Sequence, residues 1–175
     1  MSGTNVSRRF SVTIVSFAGT WILDTSAWSR GQAWAIHGFT ASYGRTRRPE
    51  LLVAAQRTAD WFIAHLPADA VPYWDFRAPA IPQTERDASA AAIAASGLYD
   101  LARYVDAGLS DRYRATADRI IASLATSYMA APTPSGAILA HSTGSRPAQS
   151  EVDVGLVYAD YFFVEALLRR QGLSR

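Results

Sequence analysis

Residues 24–34 form the densest set of side chains that could bind a ligand. The segment reads Asp-Thr-Ser-Ala-Trp-Ser-Arg-Gly-Gln-Ala-Trp, so Trp28, Arg30 and Trp34 cluster at a predicted helix start. An arginine in the first turn opposes the helix dipole, and Gly31 is about 1 kcal/mol less favourable than alanine in a helix, so helix stability explains neither residue. A guanidinium between flat aromatic side chains suits a planar carboxylate on a ring-shaped ligand.

Each of these residues also has a structural explanation. Trp28 could pack on Ala33 as a hydrophobic staple, Trp34 could be an ordinary core residue, and Arg30 could be solvated. Taken together, the string is more specific than any of its members. We therefore predict a binding site here.

Two further segments carry unusual polar and aromatic residues. Residues 73–76 read Tyr-Trp-Asp-Phe, and a loop there could present the Trp74 indole and the Asp75 carboxylate to a sugar. Alternatively, Trp74 closes the rim of the core and Asp75 is a local cap. Residues 141–147 read His-Ser-Thr-Gly-Ser-Arg-Pro, and hydroxyls such as that of Ser142 could bind a polyhydroxylated ligand.

The composition excludes several classes of function. A chain of 175 residues with 49% hydrophobic content fits one domain, and a formal charge of +2 gives little support for nucleic-acid binding. The chain has no cysteine, and its three histidines lack acidic companions at metal-ligand spacing. We predict no metal, no cofactor, no nucleic-acid partner and no membrane partner.

Residues 1–23 differ from the rest of the chain. Arg8 and Arg9 precede a mostly apolar run of about signal-peptide length, but polar residues interrupt this run and no small-residue cleavage site follows it. Export therefore stays an alternative, and we expect a cytoplasmic protein. We assign residues 1–23 as an atypical segment of uncertain origin, and residues 24–175 as the domain.

From residue 24 onward the hydrophobic period is that of α-helices. The second and fourth predicted helices carry one apolar stripe each, whereas the third and fifth are apolar on nearly every side. Ser29 with Gln32, Thr84 with Asp87 and Ser150 with Asp153 have the spacing of capping boxes. Asp87, which directly precedes the third predicted helix, is also expected to cap it. The predicted helices cover residues 30–43, a segment that begins at Pro49, residues 88–98, residues 111–128 and residues 152–168.

The order of these helices is inner, outer, inner, outer, inner. This order predicts an all-α fold built as a toroid of helical hairpins. Inner helices that run roughly parallel gather their N-termini at one end, where the helix dipoles favour an anionic ligand. Residues 24–30, 73–87 and 141–150 lead into those helices, so we expect them to form one binding rim.

Four strings in this chain resemble a known family. They are Trp-Ser-Arg-Gly-Gln-Ala-Trp at 28–34, Val-Pro-Tyr-Trp-Asp-Phe at 71–76, Arg-Asp-Ala-Ser-Ala-Ala-Ala-Ile at 86–93, and Ser-Glu-Val-Asp-Val at 150–154 with the helix that follows. They look like the C-terminal half of the unsaturated glucuronyl hydrolases, glycoside hydrolase family 88. The resemblance implies part of an (α/α)6 barrel, a six-hairpin toroid.

The resemblance also implies an activity and a set of substrate contacts. The family comprises intracellular bacterial enzymes that remove a 4,5-unsaturated uronic acid from oligosaccharides released by polysaccharide lyases. By position, Trp28, Arg30 and Trp34 resemble substrate-contacting residues, and Trp74 and Ser142 are further candidates. The family uses neither metal nor organic cofactor.

In that family an aspartate protonates the C4=C5 double bond, water adds at C5, and the resulting hemiketal rearranges to release the sugar. The catalytic aspartates belong to the N-terminal half of the barrel, so the resemblance implies that they lie outside this chain. We therefore predict a fragment without a catalytic residue of its own and without turnover in isolation. Half a toroid exposes its inner helices, so we also expect self-association.

Two other functions stay open. The same rim could belong to a catalytically silent helical module that binds carbohydrate or a protein partner. The chain could also be a relative of the unsaturated rhamnogalacturonyl hydrolases, which share the barrel and the hydration chemistry.

Overall fold

The structure is a computed structural model that describes residues 26–132 and 136–173. The predicted boundary after residue 23 lies outside these residues. Within them, none of the helices is both long and apolar enough to cross a membrane. The described residues form five α-helices and only isolated β-bridges: α1 (Ser29–Thr46), α2 (Pro49–Ala64), α3 (Ala88–Leu101), α4 (Ala107–Ser127) and α5 (Val157–Arg170).

The helices form two layers. In the inner layer, α3 packs against α1 on one side and against α5 on the other. In the outer layer, α2 packs on α1 and α4 packs on α3. The predicted order of inner and outer helices is therefore confirmed.

The sequence of α3 explains its central position. Every residue of α3 is buried, and six of its 14 residues are alanine, whose short side chain lets neighbouring helices approach closely. At Gly97 the two helices approach closely, because a Cβ atom there would lie 3.1 Å from both the Cα and the backbone nitrogen of His37 on α1. Gly97 thus fixes the spacing of α1 and α3.

The outer helices each bury one stripe, as their sequences predict. On α2 the stripe includes Ala55, Ala59 and Phe62, and α2 begins at Pro49 in the first helical position. On α4 the buried residues include Tyr113 and Ile120, but the helix begins at Ala107, earlier than predicted, with Asp106 as its N-cap.

The predicted capping box at the start of α1 is wrong. The N-cap is Trp28, which makes no side-chain cap bond. The hydroxyl of Ser29 instead donates to the backbone oxygen of Trp74 at 3.0 Å, in a loop 45 residues away. The predicted end of this helix at residue 43 is also wrong, since α1 continues through Gly44 to Thr46.

The other two capping boxes fail as well, although Asp87 does cap α3. Its carboxylate accepts hydrogen bonds from the backbone nitrogens of Ser89 and Ala90, so Thr84 is not the cap. The fifth helix begins at Val157 rather than Val152.

The residues before α5 cannot continue the helix. Backbone bridges join Ser145 to Ser150 and Ser142 to Val154. The backbone of Glu151 and Asp153 has φ angles of 53° and 58°, in the left-handed region that an α-helix excludes.

Only one face of α5 is covered. Its buried residues, which include Ala159, Phe162 and Ala166, face the rest of the inner layer. The opposite face is apolar and exposed: Val157 82%, Tyr161 61%, Val164 42% and Leu168 41%. The prediction that α5 lies inside the fold is correct in that α5 belongs to the inner layer. It is wrong for the exposed face, which faces solvent.

Candidate functional site

The start of α1 and the two loops that lead into α3 and α5 meet at one end of the inner layer. The backbone nitrogen of Ser29 donates to the carbonyl oxygen of Trp74 at 3.1 Å, and Trp74 in turn donates to the carbonyl oxygen of Glu85 at 3.0 Å. The backbone nitrogen of Ala88 donates to the carbonyl oxygen of His141 at 3.0 Å. The predicted rim is therefore held together by backbone bonds between distant segments.

Asp75 has a structural role in this rim. Its carboxylate accepts from the backbone nitrogens of Ala27 at 3.0 Å and Arg77 at 2.7 Å, and from the hydroxyl of Ser26. The residue is 2% exposed. These contacts support the local-cap explanation of Asp75, which leaves Trp74 as the ligand-facing candidate of this loop.

Arg30 joins the three segments of the rim. Its guanidinium donates to Asp87 Oδ2 at 3.1 Å, to the carbonyl oxygen of Thr143 at 2.6 Å, and to that of Gly144. The side chain is 7% exposed, so these acceptors compensate for its desolvation. Much of the donor capacity of Arg30 is used inside the protein rather than offered to a ligand.

Asp87 is the buried partner of Arg30. Its carboxylate caps α3 and also accepts from the hydroxyl of Ser89 at 2.5 Å. Complete burial raises the pKa of Asp87, while the charge of Arg30 and the hydrogen bonds from Ser89, Ala90 and Thr143 oppose this rise. The Arg30–Asp87 pair is therefore a buried ion pair that fixes the relative positions of α1, α3 and the loop before α5.

The guanidinium of Arg30 also lies between two aromatic rings. Its Cζ atom is 5.0 Å from the ring centroid of Trp28 and 5.3 Å from that of Tyr158 on α5. The expectation that Trp28 and Trp34 form these two walls is wrong, because Tyr158 is the second wall. The ring of Trp28 explains Gly31, since a Cβ atom at that position would lie 2.7 Å from Cε3 of Trp28.

A cleft of about 260 Å³ opens between the start of α1 and these loops. The indole of Trp74 is oriented by a hydrogen bond from its Nε1 to Thr84 Oγ1 at 3.2 Å, and Arg146 is held by Glu85 at 2.9 Å. The cleft is lined by Ser26, Trp28, Arg30, Trp74, Thr143, Gly144, Ser145, Arg146 and Pro147. Aromatic faces, hydroxyls and guanidinium groups together can hold a polar, anionic ring.

None of the described residues that line the cleft is an aspartate, glutamate, histidine, lysine or tyrosine, the side chains that commonly act as general acids. No group of three or more histidine, aspartate or glutamate side chains within the described ranges could hold a metal ion.

The structure brings together three of the five predicted contact residues: Trp28, Arg30 and Trp74. Trp34 lies outside the cleft lining, where its ring packs edge-on against Phe162 at a centroid distance of 5.0 Å. Ser142 is fully buried, and its hydroxyl has no hydrogen-bond partner among the residues that the structure describes. The contact roles of all five stay predictions.

Sequence reasoning missed several parts of the site. Residues 143–147 line the cleft and belong to the predicted hydrogen-bonding loop 141–147, but Ser142 was the member of that loop chosen as the contact residue. The signal was present, because the loop combines hydroxyls, glycine and arginine. Tyr158 and Glu85 carried no such signal, since their roles depend on contacts with Arg30 and Arg146 in distant segments.

Comparison with known proteins identifies relatives of this chain. An unsaturated glucuronyl hydrolase from Formosa agariphila is 45% identical to the chain over 152 residues, which are 85% of this chain and 37% of that protein. The chain is a homologue of the unsaturated glucuronyl hydrolases. No family model matches it.

Solved structures of unsaturated glucuronyl hydrolases agree with the fold. That of the Bacillus sp. GL1 enzyme superposes with a TM-score of 0.81 and 33% identity, covering 86% of this chain and 41% of that one. A mutant of the Streptococcus agalactiae enzyme complexed with dGlcA-GalNAc6S gives a TM-score of 0.81 and 28% identity, with 87% and 41% covered. The described helices are thus part of an (α/α)6 barrel, as predicted, and the chain spans less than half the length of these relatives.

Proposed function

We propose that this chain forms part of a glycoside hydrolase that releases a 4,5-unsaturated uronic acid from oligosaccharides produced by polysaccharide lyases. The main observation that supports this proposal is the cleft lined by Trp28, Arg30, Trp74 and residues 143–147. The cleft lies within a segment that is 45% identical to an unsaturated glucuronyl hydrolase. A relative of the same fold has been solved with dGlcA-GalNAc6S bound, which supports an unsaturated oligosaccharide as ligand.

In this proposal the cleft holds the sugar between apolar and polar walls. The faces of Trp28 and Trp74 pack against the ring, and the guanidinium of Arg146 with the neighbouring hydroxyls binds its polar substituents. Arg30 acts mainly as a positioning residue, because its bonds to Asp87 and Thr143 hold the cleft walls in place. The chain's own contribution is to bind and orient the substrate.

The reaction itself needs a proton donor that the described cleft does not supply. We propose that an aspartate from the part of the barrel outside this chain protonates the C4=C5 double bond. Water then adds at C5, and the hemiketal opens to release the uronic acid from the remaining sugar. The isolated chain should therefore bind substrate without turnover.

A catalytically silent carbohydrate-binding module is the second candidate. One observation favours it: the described lining of the cleft contains aromatic rings and guanidinium groups but no carboxylate. The two candidates agree on binding and differ on whether the chain contributes to turnover when the rest of a barrel is present.

Binding and turnover of an unsaturated chondroitin disaccharide would test the proposal. Calorimetry should show binding by the isolated chain, and Trp74→Ala should weaken this binding about tenfold, because a stacked aromatic face is lost. Trp61→Ala is the matched control, since Trp61 stacks on His65 on α2, outside the cleft lining. The absorbance of the double bond should stay constant with the isolated chain.

Three results would contradict this proposal. Equal binding by wild type and Trp74→Ala would remove Trp74 from the substrate site. Loss of absorbance with the isolated chain would show that it contains its own acid. Persistent lack of turnover in a complex that completes the barrel would favour the silent binding module.

A further inference from the structure

We propose that Thr84 and Glu85 are positioning residues that join the two walls of the cleft into one unit. One wall carries the indole of Trp74, and the other carries the guanidinium of Arg146. Thr84 and Glu85 lie behind the described lining, so they act through the side chains that they hold. The inference rests on the proposed function, because it assumes that this cleft binds the substrate.

Three hydrogen bonds form one chain between the two walls. The indole Nε1 of Trp74 donates to Thr84 Oγ1 at 3.2 Å, and the same hydroxyl donates to Glu85 Oε2 at 2.9 Å. From the other wall, Nε of Arg146 donates to that carboxylate oxygen at 2.9 Å. The carboxylate of Glu85 is therefore the acceptor on which both walls converge.

The chemistry of these groups fixes the direction of each bond. An indole N–H can only donate, so the Thr84 hydroxyl accepts from Trp74 and uses its single proton on Glu85. Bonds to an ionised carboxylate are stronger than bonds between neutral groups, and adjacent bonds in a chain polarise one another. A change at Glu85 should therefore be felt at both walls.

The same two residues order the walls before a ligand arrives. The backbone nitrogen of Trp74 donates to the carbonyl oxygen of Glu85 at 3.0 Å, so Trp74 is held through both its backbone and its ring. The side chains of Arg146 and Glu85 are 33% and 26% exposed. Ordering such partly exposed side chains costs free energy on binding, and this cost is smaller when they are already held.

The ionisation of Glu85 should be detectable at Trp74. Burial raises the pKa of Glu85, but hydrogen bonds from its own backbone and from Thr84, with the bond and charge of Arg146, lower it below its ordinary 4.5. Within the described residues, Arg146 is the charged side chain that pairs with Glu85. Protonation of Glu85 removes the charge that strengthens its bond from Thr84, which in turn accepts from the indole.

Calorimetry of the 175-residue chain with an unsaturated chondroitin disaccharide tests the effect on binding. Thr84→Val keeps the shape of the side chain but removes its hydroxyl, so it should weaken binding about fivefold. Thr84→Ser retains a hydroxyl and should bind within about twofold of wild type. Thr126→Val is the matched control and should bind as wild type does, because the Thr126 hydroxyl donates to the Ala122 carbonyl oxygen within α4.

A double-mutant cycle tests whether the two residues act as one unit. Glu85→Ala removes the acceptor shared by both walls and should weaken binding more than Thr84→Val does. In the Glu85→Ala background, Thr84→Val should cost less than about twofold, because the chain of bonds is already broken at Glu85. Residues that act independently would give the same loss in both backgrounds.

The indole Nε1–H resonance of Trp74 provides a readout that needs no ligand. The resonance is assigned by its absence in Trp74→Phe, and in wild type it should shift with an apparent pKa below 4.5. Glu85→Gln should abolish this titration step, because it leaves no ionisable group at the centre of the chain of bonds. Acid unfolding is distinguished by a simultaneous change in the other indole resonances.

Four results would overturn the positioning role. Thr84→Val could bind as tightly as wild type, Thr84→Ser could bind no better than Thr84→Val, the losses in the cycle could be independent, or the Trp74 resonance could titrate without dependence on Glu85. A wild-type chain that does not bind the disaccharide, but whose Trp74 resonance titrates through Glu85, would instead count against the proposed function. The two proposals can therefore fail separately.

Discussion

Helices α3 and α5 have the same length and the same layer but different surroundings. Each has 14 residues, and each sequence is apolar on nearly every side. All of α3 is buried, because α1, α5 and α4 cover it, whereas one side of α5 faces solvent. The comparison shows that the sequence of an apolar helix favours burial against other helices. Whether such helices cover each of its sides depends on the fold.

The N-termini of the two helices differ in the same way. Asp87 caps α3 and forms a buried ion pair with Arg30, while the N-cap of α5 is Leu156, which makes no side-chain bond. We therefore expect the buried Arg30–Asp87 pair at α3 to contribute more to the free energy of unfolding than the exposed Arg170–Asp118 pair at α5.

Arg30→Met should be the most destabilising of the changes that test this comparison. It leaves the Asp87 carboxylate buried without its cation, which should lower the free energy of unfolding by about 3–5 kcal/mol. Arg170→Met on α5 removes a pair with Asp118 whose side chains are 55% and 46% exposed, so it should cost less than about 1 kcal/mol. Urea unfolding of both variants measures the difference, and similar losses would contradict it.

Leu98→Ala should have the next largest effect. Leu98 on α3 is fully buried, and removing its side chain leaves a cavity that should lower the free energy of unfolding by about 2–5 kcal/mol. Leu168→Ala on α5 truncates a side chain that is 41% exposed and should cost less than about 1 kcal/mol. A large loss for Leu168→Ala would show that the exposed face of α5 is covered in solution.

The smallest expected effect is the contribution of Glu165 on α5 to the stability of the fold at low pH. Burial alone would raise the pKa of Glu165, but hydrogen bonds from His37 and Ser96 and the charge of Arg169 lower it below its ordinary 4.5. A lowered folded-state pKa stabilises the fold fully above the unfolded-state value, and this stabilisation is lost as the pH falls through the folded-state value.

The stability difference between wild type and Glu165→Gln should therefore shrink as the pH falls below 4.5. Thermal unfolding of both proteins across that range provides the measurement. A difference that is constant with pH would mean that Glu165 contributes no acid-dependent stability.

Much of the fold could be predicted from local sequence. Several features depend only on short segments: the single apolar stripes of α2 and α4, the apolar character of α3 on all sides, the start at Pro49 and the Asp87 cap. The alternation of inner and outer helices could therefore be predicted from these segments. The three segments that meet at the rim could also be selected from the sequence, because they stand out in composition; the role of the rim in binding stays a prediction.

Only the tertiary structure decided which atoms meet at that rim. Ser29 binds the Trp74 carbonyl rather than Gln32, Arg30 pairs with Asp87, and Tyr158 rather than Trp34 faces the guanidinium. These partners are far apart in sequence, so their contacts depend on how whole helices pack and not on any local period. The sequence by itself determined that α3 and α5 need neighbours on most of their surface, because apolar residues lie on nearly every side of both helices. The packing of one helix against the next decided that α3 is covered and that one face of α5 is open.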